Sequence, residues 1–446
     1  MTVVRLAIVA FAVNIAAAQQ PLTERARHYL AELIRLDTSN PPGNETRVAS
    51  WLKRTAAQEG LPCELLGGAP ARLNFVARLR GSGARRPILL MAHSDVVPAD
   101  PSHWSTPPFS GEIRDGFLYG RGALDAKSLL AAELAVLVEL KHSGRQLDRD
   151  LILLAESDEE VGSSGIRWIL SHAPNKIDAE FALNEGGFVM DLPSGVRLYH
   201  VQTAEKAPMP IVLRATGTEG HGSLPLPDNP LVRLSRAIVK LAAAEQPVRL
   251  NSTTTRYLTD MARLPEYAWL APLIPQLPQA RAANEIRARD PEFDAQLRTS
   301  VSPDVMRAGT VVNVIPGHAE AQVDVRRLPN ETREEVLARL TKIVNDPRVE
   351  ITLAPGHNMP ATPPSPLNPA LEAVLRKAHP KAVVVPYMHR GSTDGAWLRQ
   401  RGIPVNGVPI FLRDERENRA HAVDERISLR SFDEGVALLL QIVTKL

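Results

Sequence analysis

The sequence predicts an α/β protein, a doubly wound, mostly parallel sheet domain interrupted by an inserted α+β domain of ferredoxin-like pattern. Three observations carry that reading. Apolar strand-like runs alternate with helical stretches through the first half of the chain, the pattern changes near residue 205, and the first style resumes after residue 360. At 446 residues the chain is also long for one compact unit, so two are expected.

Residues 1–18 stand apart from the rest. Arg5 precedes the apolar run LAIVAFAVNIAAA, which small residues close at Ala16, Ala17 and Ala18 before QQPL. A positive start, a short apolar core and an A-x-A site describe a secretory signal peptide, with cleavage expected after Ala18. The run is short for a membrane span, and no later stretch approaches ~20 apolar residues. The mature chain is therefore expected to be exported, into a bacterial periplasm or the medium. No cysteine follows the cleavage site closely enough to suggest a lipid anchor.

From residue 19 to 204, NFVARLRG and PILLMAHSD read as strands. DAKSLLAAELAVLVELKHSG reads as a helix, with apolar residues at helical spacing and a glycine to end it. DLILLAESDEE is a continuous apolar run that stops at acids, the mark of a buried strand. GIRWILSHA is helical again, and AEFALNEGG is another strand. Such alternation predicts the mostly parallel sheet.

The segment 205–360 reads differently. APMPIVLRATGTEGHGS is a strand and loop, NPLVRLSRAIVKLAAAE a helix, and GTVVNVIPGHAEAQVDVRRLP a hairpin; TREEVLARLTKIVND is a helix and VEITLAP a last strand. Two helices over a few antiparallel strands make an α+β unit. An insertion from residue 251 to about 300 separates its halves. Residues 361–446 then return to the first domain, with a helix in PLNPALEAVLRKAHP and strands at AVVVPY and IPVNGVPI.

Composition narrows the function classes. Hydrophobic residues at 44% and charged residues at 23% describe an ordinary globular protein. Lysine plus arginine, 52, barely exceed aspartate plus glutamate, 50, which gives no support for nucleic acid or an anionic membrane as partner. The single cysteine, Cys63, excludes an intramolecular disulfide and a thiolate metal cluster. No G-x-S-x-G elbow stands between a strand and a helix, which argues against a serine nucleophile.

In an open α/β sheet, ligands bind outside the carboxyl ends of the strands. Those ends carry His93 and Asp95, then Asp125 opening a helix, then Glu159 and Glu160, then Glu185; His421, in RAHAVDERI, could complete the set. Each alone reads as a cap or a solvated loop residue. Their recurrence at matching topological positions points to one metal centre. Imidazole and carboxylate suit zinc, and an open coordination position makes such a site catalytic. Five ligands can hold two metals if one carboxylate bridges them. Two metals ~3.5–4 Å apart clamp a water and a substrate carbonyl oxygen together and draw the pKa of that water towards ~7.

MAHSDVVPAD, PPFSGEIRDGFLYGRGALDAK, ESDEEVGSSG, LNEGG, GTEGHGSLP, NVIPG and HAVDERI occur in the order of one family. Over nearly its whole mature length the chain resembles the dinuclear zinc aminoacylase/carboxypeptidase family. That family includes aminoacylase, succinyl-diaminopimelate desuccinylase, glutamate carboxypeptidase and carboxypeptidase S. The stretches PPFSG…LYGRGALDAK and LNEGG are most similar to the branch of carboxypeptidase S and the N-fatty-acyl-amino-acid hydrolases.

The resemblance implies roles. His93 and Glu185 would hold one metal, Glu160 and His421 the other, and Asp125 would bridge them. Asp95 would orient the His93 imidazole, as carboxylates behind ligand histidines do. Glu159 would be the general base. His221, in TGTEGHGSLP, would polarise the scissile carbonyl, often across a dimer interface. The inserted domain is accordingly expected to be a lid and dimerisation domain, and the protein a homodimer. Where the family more often has serine after GH, this chain has Gly222. Asn313 in NVIPG and Arg326 in DVRRLP would meet the substrate's oxyanion and α-carboxylate, a planar guanidinium being suited to bidentate binding. Thr393 in GSTDG would be a substrate contact in the catalytic domain. EYAWLAPLIPQLP, residues 266–278, is apolar for an insertion; it either packs within its own domain or forms a wall for a long acyl group or a partner.

Together these residues predict an exported metallohydrolase with two divalent metals, zinc first, cobalt or manganese able to substitute. It would cleave an amide bond next to a free α-carboxylate, as an N-acyl-amino-acid amidohydrolase or a carboxypeptidase, by attack of a metal-bridging hydroxide with Glu159 as base. The alternative from another class is a non-catalytic periplasmic metal- or peptide-binding protein of the same fold. Its mark would be loss of Glu159 or of a ligand, and none is lost. A one-metal hydrolase or lyase is the second alternative, separable by metal stoichiometry.

Overall fold

The structure is a computed structural model that describes residues 20–356, 359–413 and 419–446; the expected signal peptide, 1–18, lies outside the described residues. The chain divides into two compact units. One comprises Thr203–Ser365 with Val385–Gln400, and the other the remainder.

The first unit is built on one sheet. Its strand order is Cys63–Leu66, Asn74–Leu79, Leu151–Glu156, Ile88–His93, Phe181–Asn184, Val405–Gly407, and then the leading parts, 197–202 and 382–384, of Arg197–Glu205 and Ala382–His389. The middle of the sheet is parallel, from Leu151–Glu156 through Ile88–His93 and Phe181–Asn184 to Val405–Gly407. Antiparallel pairs extend it on both sides. Every residue of Ile88–His93 and of Leu151–Glu156 is buried. That is why these runs are apolar throughout rather than alternating, since a parallel strand is covered on both faces.

The helix Lys127–His142 is buried almost all round and packs against Leu22–Arg35 and Leu429–Lys445. Leu30, Leu33, Leu134, Leu137, Val436 and Leu439 belong to the resulting core. Gly144, at φ +61°, lies just beyond the helix in the left-handed region that ends helices at glycine. A small second sheet pairs Phe117–Tyr119 with both Ile113–Arg114 and Arg426–Ser428. It brings together segments some three hundred residues apart in the chain.

In the second unit, His318–Arg327 is the organising strand. It pairs antiparallel with Ala207–Pro208, Ile211–Thr216 and Ser300–Ala308, and Val349–Leu353 joins beyond Ile211–Thr216. Helices Pro230–Ala243 and Arg333–Val344 cover this sheet, with Leu234, Leu241, Val336 and Leu340 set against Leu213, Ala321 and Val323. Asn229 caps the first helix ahead of Pro230, and Thr332 with Glu335 forms a capping box on the second. Two helices on an antiparallel sheet agree with the α+β reading.

Three details differ from expectation. The stretch 309–327 does not form a hairpin: Val314–Ile315 pairs with Gly220–His221, and Ser300–Ala308 takes the place beside His318–Arg327. Val311, Val312 and Val314 are exposed, so their strand-like pattern did not report a buried face. The second unit is also larger than 205–360, because Val385–Gln400 belongs to it. Thr393, expected in the catalytic domain, therefore lies in the second unit. Its hydroxyl donates to Glu205 at 2.9 Å, and Arg399 pairs with the same carboxylate at 2.7 Å. The apolar stretch 266–278 packs within its own unit: Leu270 and Leu273 are buried, and Tyr267 and Trp269 meet Phe293 edge-on at 5.6 and 5.9 Å.

Candidate metal centre

Parallel neighbours finish at the same edge of the sheet, so His93, the Glu156–Glu160 segment and Glu185 emerge side by side from three strands. His93 is 1% exposed and closes its strand. Its Nε2 lies 2.8 Å from Asp125 Oδ1 and 3.7 Å from Glu185 Oε2. On the other side, His421 Nε2 lies 3.2 Å from Asp125 Oδ2 and 3.1 Å from Glu160 Oε1. Each trio, His93–Asp125–Glu185 and Asp125–Glu160–His421, presents ligand atoms within 4.8 Å of one another. Asp125 belongs to both, offering one oxygen to each side.

The electrostatics of the cluster suit it to cations. Burial and the neighbouring Asp125 and Glu160 raise the Glu185 carboxyl well above the usual range, although His93 opposes them. Hydrogen bonds donated to Asp125 and Glu160 push His421 up to about 10. Burial disfavours a charged His93, yet Glu185, Asp125 and Asp95 together raise it well above its ordinary value. Asp125, though partly desolvated, is held far below the carboxylate range by the two histidines. Three crowded carboxylates with an imidazole on either side form a nitrogen and oxygen cage that holds protons tightly. Divalent cations would replace the protons in it. The residues fit two metal ions of the zinc type sharing Asp125.

Asp95 faces the His93 ring and also does something the sequence did not suggest. The His93 ring is oriented by the Asp95 backbone: Nδ1 donates to the carbonyl oxygen at 2.9 Å, whereas the carboxylate Oδ1 stands off at 3.6 Å. The carboxylate also accepts the backbone N–H of Glu159 on one oxygen and that of Glu160 on the other, both at 3.1 Å. It accepts the Asn40 amide as well, at 2.8 Å. Asn40 also donates to Asp158 at 2.9 Å, and Asp158 pairs with Arg72. Asp95 thus sets the turn that aims Glu159 and Glu160, and Asn40 and Asp158 brace it from behind. Pattern reading missed both. No periodicity marks an asparagine in NPPGN as buried, and Asp158 is hidden among the acids it precedes.

The remaining expected residues lie in the second unit. His221 is exposed, with Nδ1 at 2.7 Å from the Ser223 hydroxyl. Gly222 donates its N–H to the Asn313 carbonyl at 2.8 Å, so His221 and Asn313 are neighbours. A Cβ at residue 222 would come within 3.2 Å of the Asn313 backbone, a tight approach that glycine avoids. Arg326 is held by Asp324 at 2.8 Å, and Thr393 is buried against Glu205.

Residues 89–445 match peptidase family M20/M25/M40. The human N-fatty-acyl-amino acid synthase/hydrolase PM20D1 is 29% identical over 376 residues, spanning 80% of this chain and 74% of that protein. Aminoacylase-1 of Sus scrofa is 25% identical over 431 residues, 93% of each chain. The crystal structure of an M20 family metallo-carboxypeptidase from Sulfolobus solfataricus shares the fold, with a TM-score of 0.74 at 22% identity over 94% of this chain and 98% of that one.

Proposed function

The chain belongs to peptidase family M20/M25/M40, as a metal-dependent hydrolase of amide bonds, and we propose that it is an exported two-zinc enzyme cutting beside a free α-carboxylate. Its substrate is then an N-acyl amino acid or a short peptide. The observation that carries the two-metal reading is Asp125, whose two oxygens face two separate histidine–carboxylate pairs. When bound, the ions would polarise the substrate carbonyl and acidify the attacking water.

The chain's own residues supply the rest. Glu159, beside the ligand Glu160 and fixed through its N–H by Asp95, takes the proton from the water and passes it to the leaving nitrogen. His221 and Asn313 donate to the carbonyl oxygen as charge builds on it. Arg326 binds the α-carboxylate, and Thr393 adds a further substrate contact. In this reading the second unit is a lid and dimerisation domain, and residues 1–18 direct the protein out of the cytoplasm.

The test is hydrolysis of N-oleoyl and N-acetyl amino acids beside blocked dipeptides, before and after chelation. Stripping the metals should abolish hydrolysis, and zinc, cobalt or manganese should restore it at two equivalents. The substrate class that turns over fastest separates the aminoacylase from the carboxypeptidase reading. Full activity in metal-free protein would reject both.

A further inference from the structure

We propose that Arg121 and Glu425 are a buried positioning pair that holds Asp125 and His421 in register with each other, an inference that rests on the two-metal reading above. Phe117–Tyr119 and Arg426–Ser428 zip together antiparallel, and the zip ends where Gly120 N–H donates to the Glu425 carbonyl at 2.9 Å. Just beyond, the two side chains cross over. Glu425, 0% exposed, accepts the backbone N–H groups of Leu124 and Asp125 on Oε1 at 2.7 and 3.2 Å. Its Oε2 meets Arg121 Nη1 at 2.6 Å. Arg121 in turn donates to the backbone carbonyls of Ala422 and His421, each at 3.2 Å. Its guanidinium also lies 5.2 Å from the centre of the Trp104 ring.

Each member therefore grips the loop of the other's ligand. Glu425 stands four residues after His421 and holds the amide of Asp125; Arg121 stands four residues before Asp125 and holds the carbonyl of His421. The arrangement has a task to perform. His421 and Asp424 sit at φ +63° and +56°, a region that non-glycine residues occupy when their surroundings impose it. A buried ion pair is in general weak support for stability, because desolvation offsets much of its attraction. Here Arg121 Nη1 and Nη2 and Glu425 Oε1 are directed at the backbone of two ligand loops, so the pair's effect falls on their placement. Groups behind metal ligands commonly change metal affinity 10–100-fold when removed.

The experiment is a titration of metal-stripped full-length protein with zinc or cobalt, alongside its thermal unfolding. Wild type should take up two equivalents. Glu425→Gln keeps an oxygen for the Leu124 and Asp125 amides but loses the charge that draws Arg121. It should weaken one equivalent by roughly 10–100-fold. Glu425→Ala should weaken both, because Asp125 is shared. The double variant Arg121→Met with Glu425→Gln removes the pair without leaving a buried charge alone; its Tm should recover relative to Glu425→Ala while the metal affinity stays low. Arg78→Met, which breaks the distant pair with Asp150, should lower Tm without changing affinity. Wild-type metal affinity in Glu425→Gln and in the double variant would overturn the inference and leave the two-metal reading intact. Affinity losses that merely follow Tm, in Arg78→Met as in the Glu425 variants, would also overturn it. A wild type that takes up no metal would overturn both readings.

Discussion

Replacing Asp95 with asparagine isolates its carboxylate from its backbone. The His93 ring is oriented by the Asp95 carbonyl at 2.9 Å, which the substitution retains. The carboxylate, fully buried, accepts three hydrogen bonds: from Glu159 N–H, Glu160 N–H and the Asn40 amide. Asparagine presents one oxygen and one NH₂ group. If its oxygen occupies the position that serves Asn40 and Glu160, two bonds survive and the NH₂ points at the N–H of Glu159, donor against donor. The opposite orientation loses two bonds. The better case forfeits one charge-assisted bond and leaves a buried N–H unmatched, so stability should fall by about 2–4 kcal/mol. The turn carrying Glu159 would shift, and a displacement near 1 Å is enough to cost roughly 10²-fold in kcat. Urea unfolding, kcat and bound metal per chain are the three readouts. The expected result is lower stability and lower kcat with both metals retained. If Asp95→Asn instead lost metal while kcat per loaded site stayed normal, the carboxylate would be a support for His93 after all. Unchanged stability would refute the hydrogen-bond count itself.

Glu159→Gln should leave both metals bound and lower the rate by roughly 10²–10⁴-fold, whereas Glu160→Gln, at 3.1 Å from His421, should first weaken metal uptake. Inductively coupled plasma analysis of the two variants separates them, and the reverse pattern would mean the roles are exchanged. His221→Ala should lower kcat by roughly 10²–10³-fold at unchanged metal content, as loss of an oxyanion donor does. Mixing it with Glu159→Gln subunits should restore part of the activity when the histidine acts from a second copy, and none when it acts within its own chain. Glu133 is buried on the helix Lys127–His142, and its carboxylate oxygens find no hydrogen-bond partner among the described residues. Burial raises its pKa well above the ordinary value, so the folded protein binds a proton that the unfolded chain releases near pH ~4.3. Its contribution to stability is therefore fully present below that pH and lost as pH rises towards the raised native value. Glu133→Gln should flatten this decline, measured as urea unfolding from pH 4 to 8 relative to wild type; parallel curves would show that the carboxyl is not neutral in the fold.

Much of the metal centre was legible because ligand types follow apolar runs. His93 ends PILLMAH, the acids close DLILLAESDEE, and Glu185 follows AEFALN, so each could be placed at a strand terminus. His421 lacked that signal, since no apolar run precedes it. Only the motif order suggested it. Antiparallel additions were harder to read. Phe188–Asp191 and Arg197–Glu205 continue the sheet without a crossover helix to announce them, and the valines of GTVVNV alternated like a strand while lying exposed.

What the sequence determined by itself was the inventory: two units, the parallel strands, and the metal-binding side chain types at their carboxyl ends. These follow from local composition, since a covered strand must be apolar and its end is free to carry polar groups. Which side chains meet was decided only by the tertiary structure. The sheet places Leu151–Glu156 beside Ile88–His93, and the pairing of Phe117–Tyr119 with Arg426–Ser428 carries His421 to Asp125. That Asp125 faces both histidines, that Asp95, which also faces the His93 ring, holds the Glu159 turn, and that Arg121 and Glu425 cross between loops are all contacts between segments remote in sequence. Hydrogen bonds act over about 3 Å, so their partners are set by how strands order and loops close, which no local run of residues encodes.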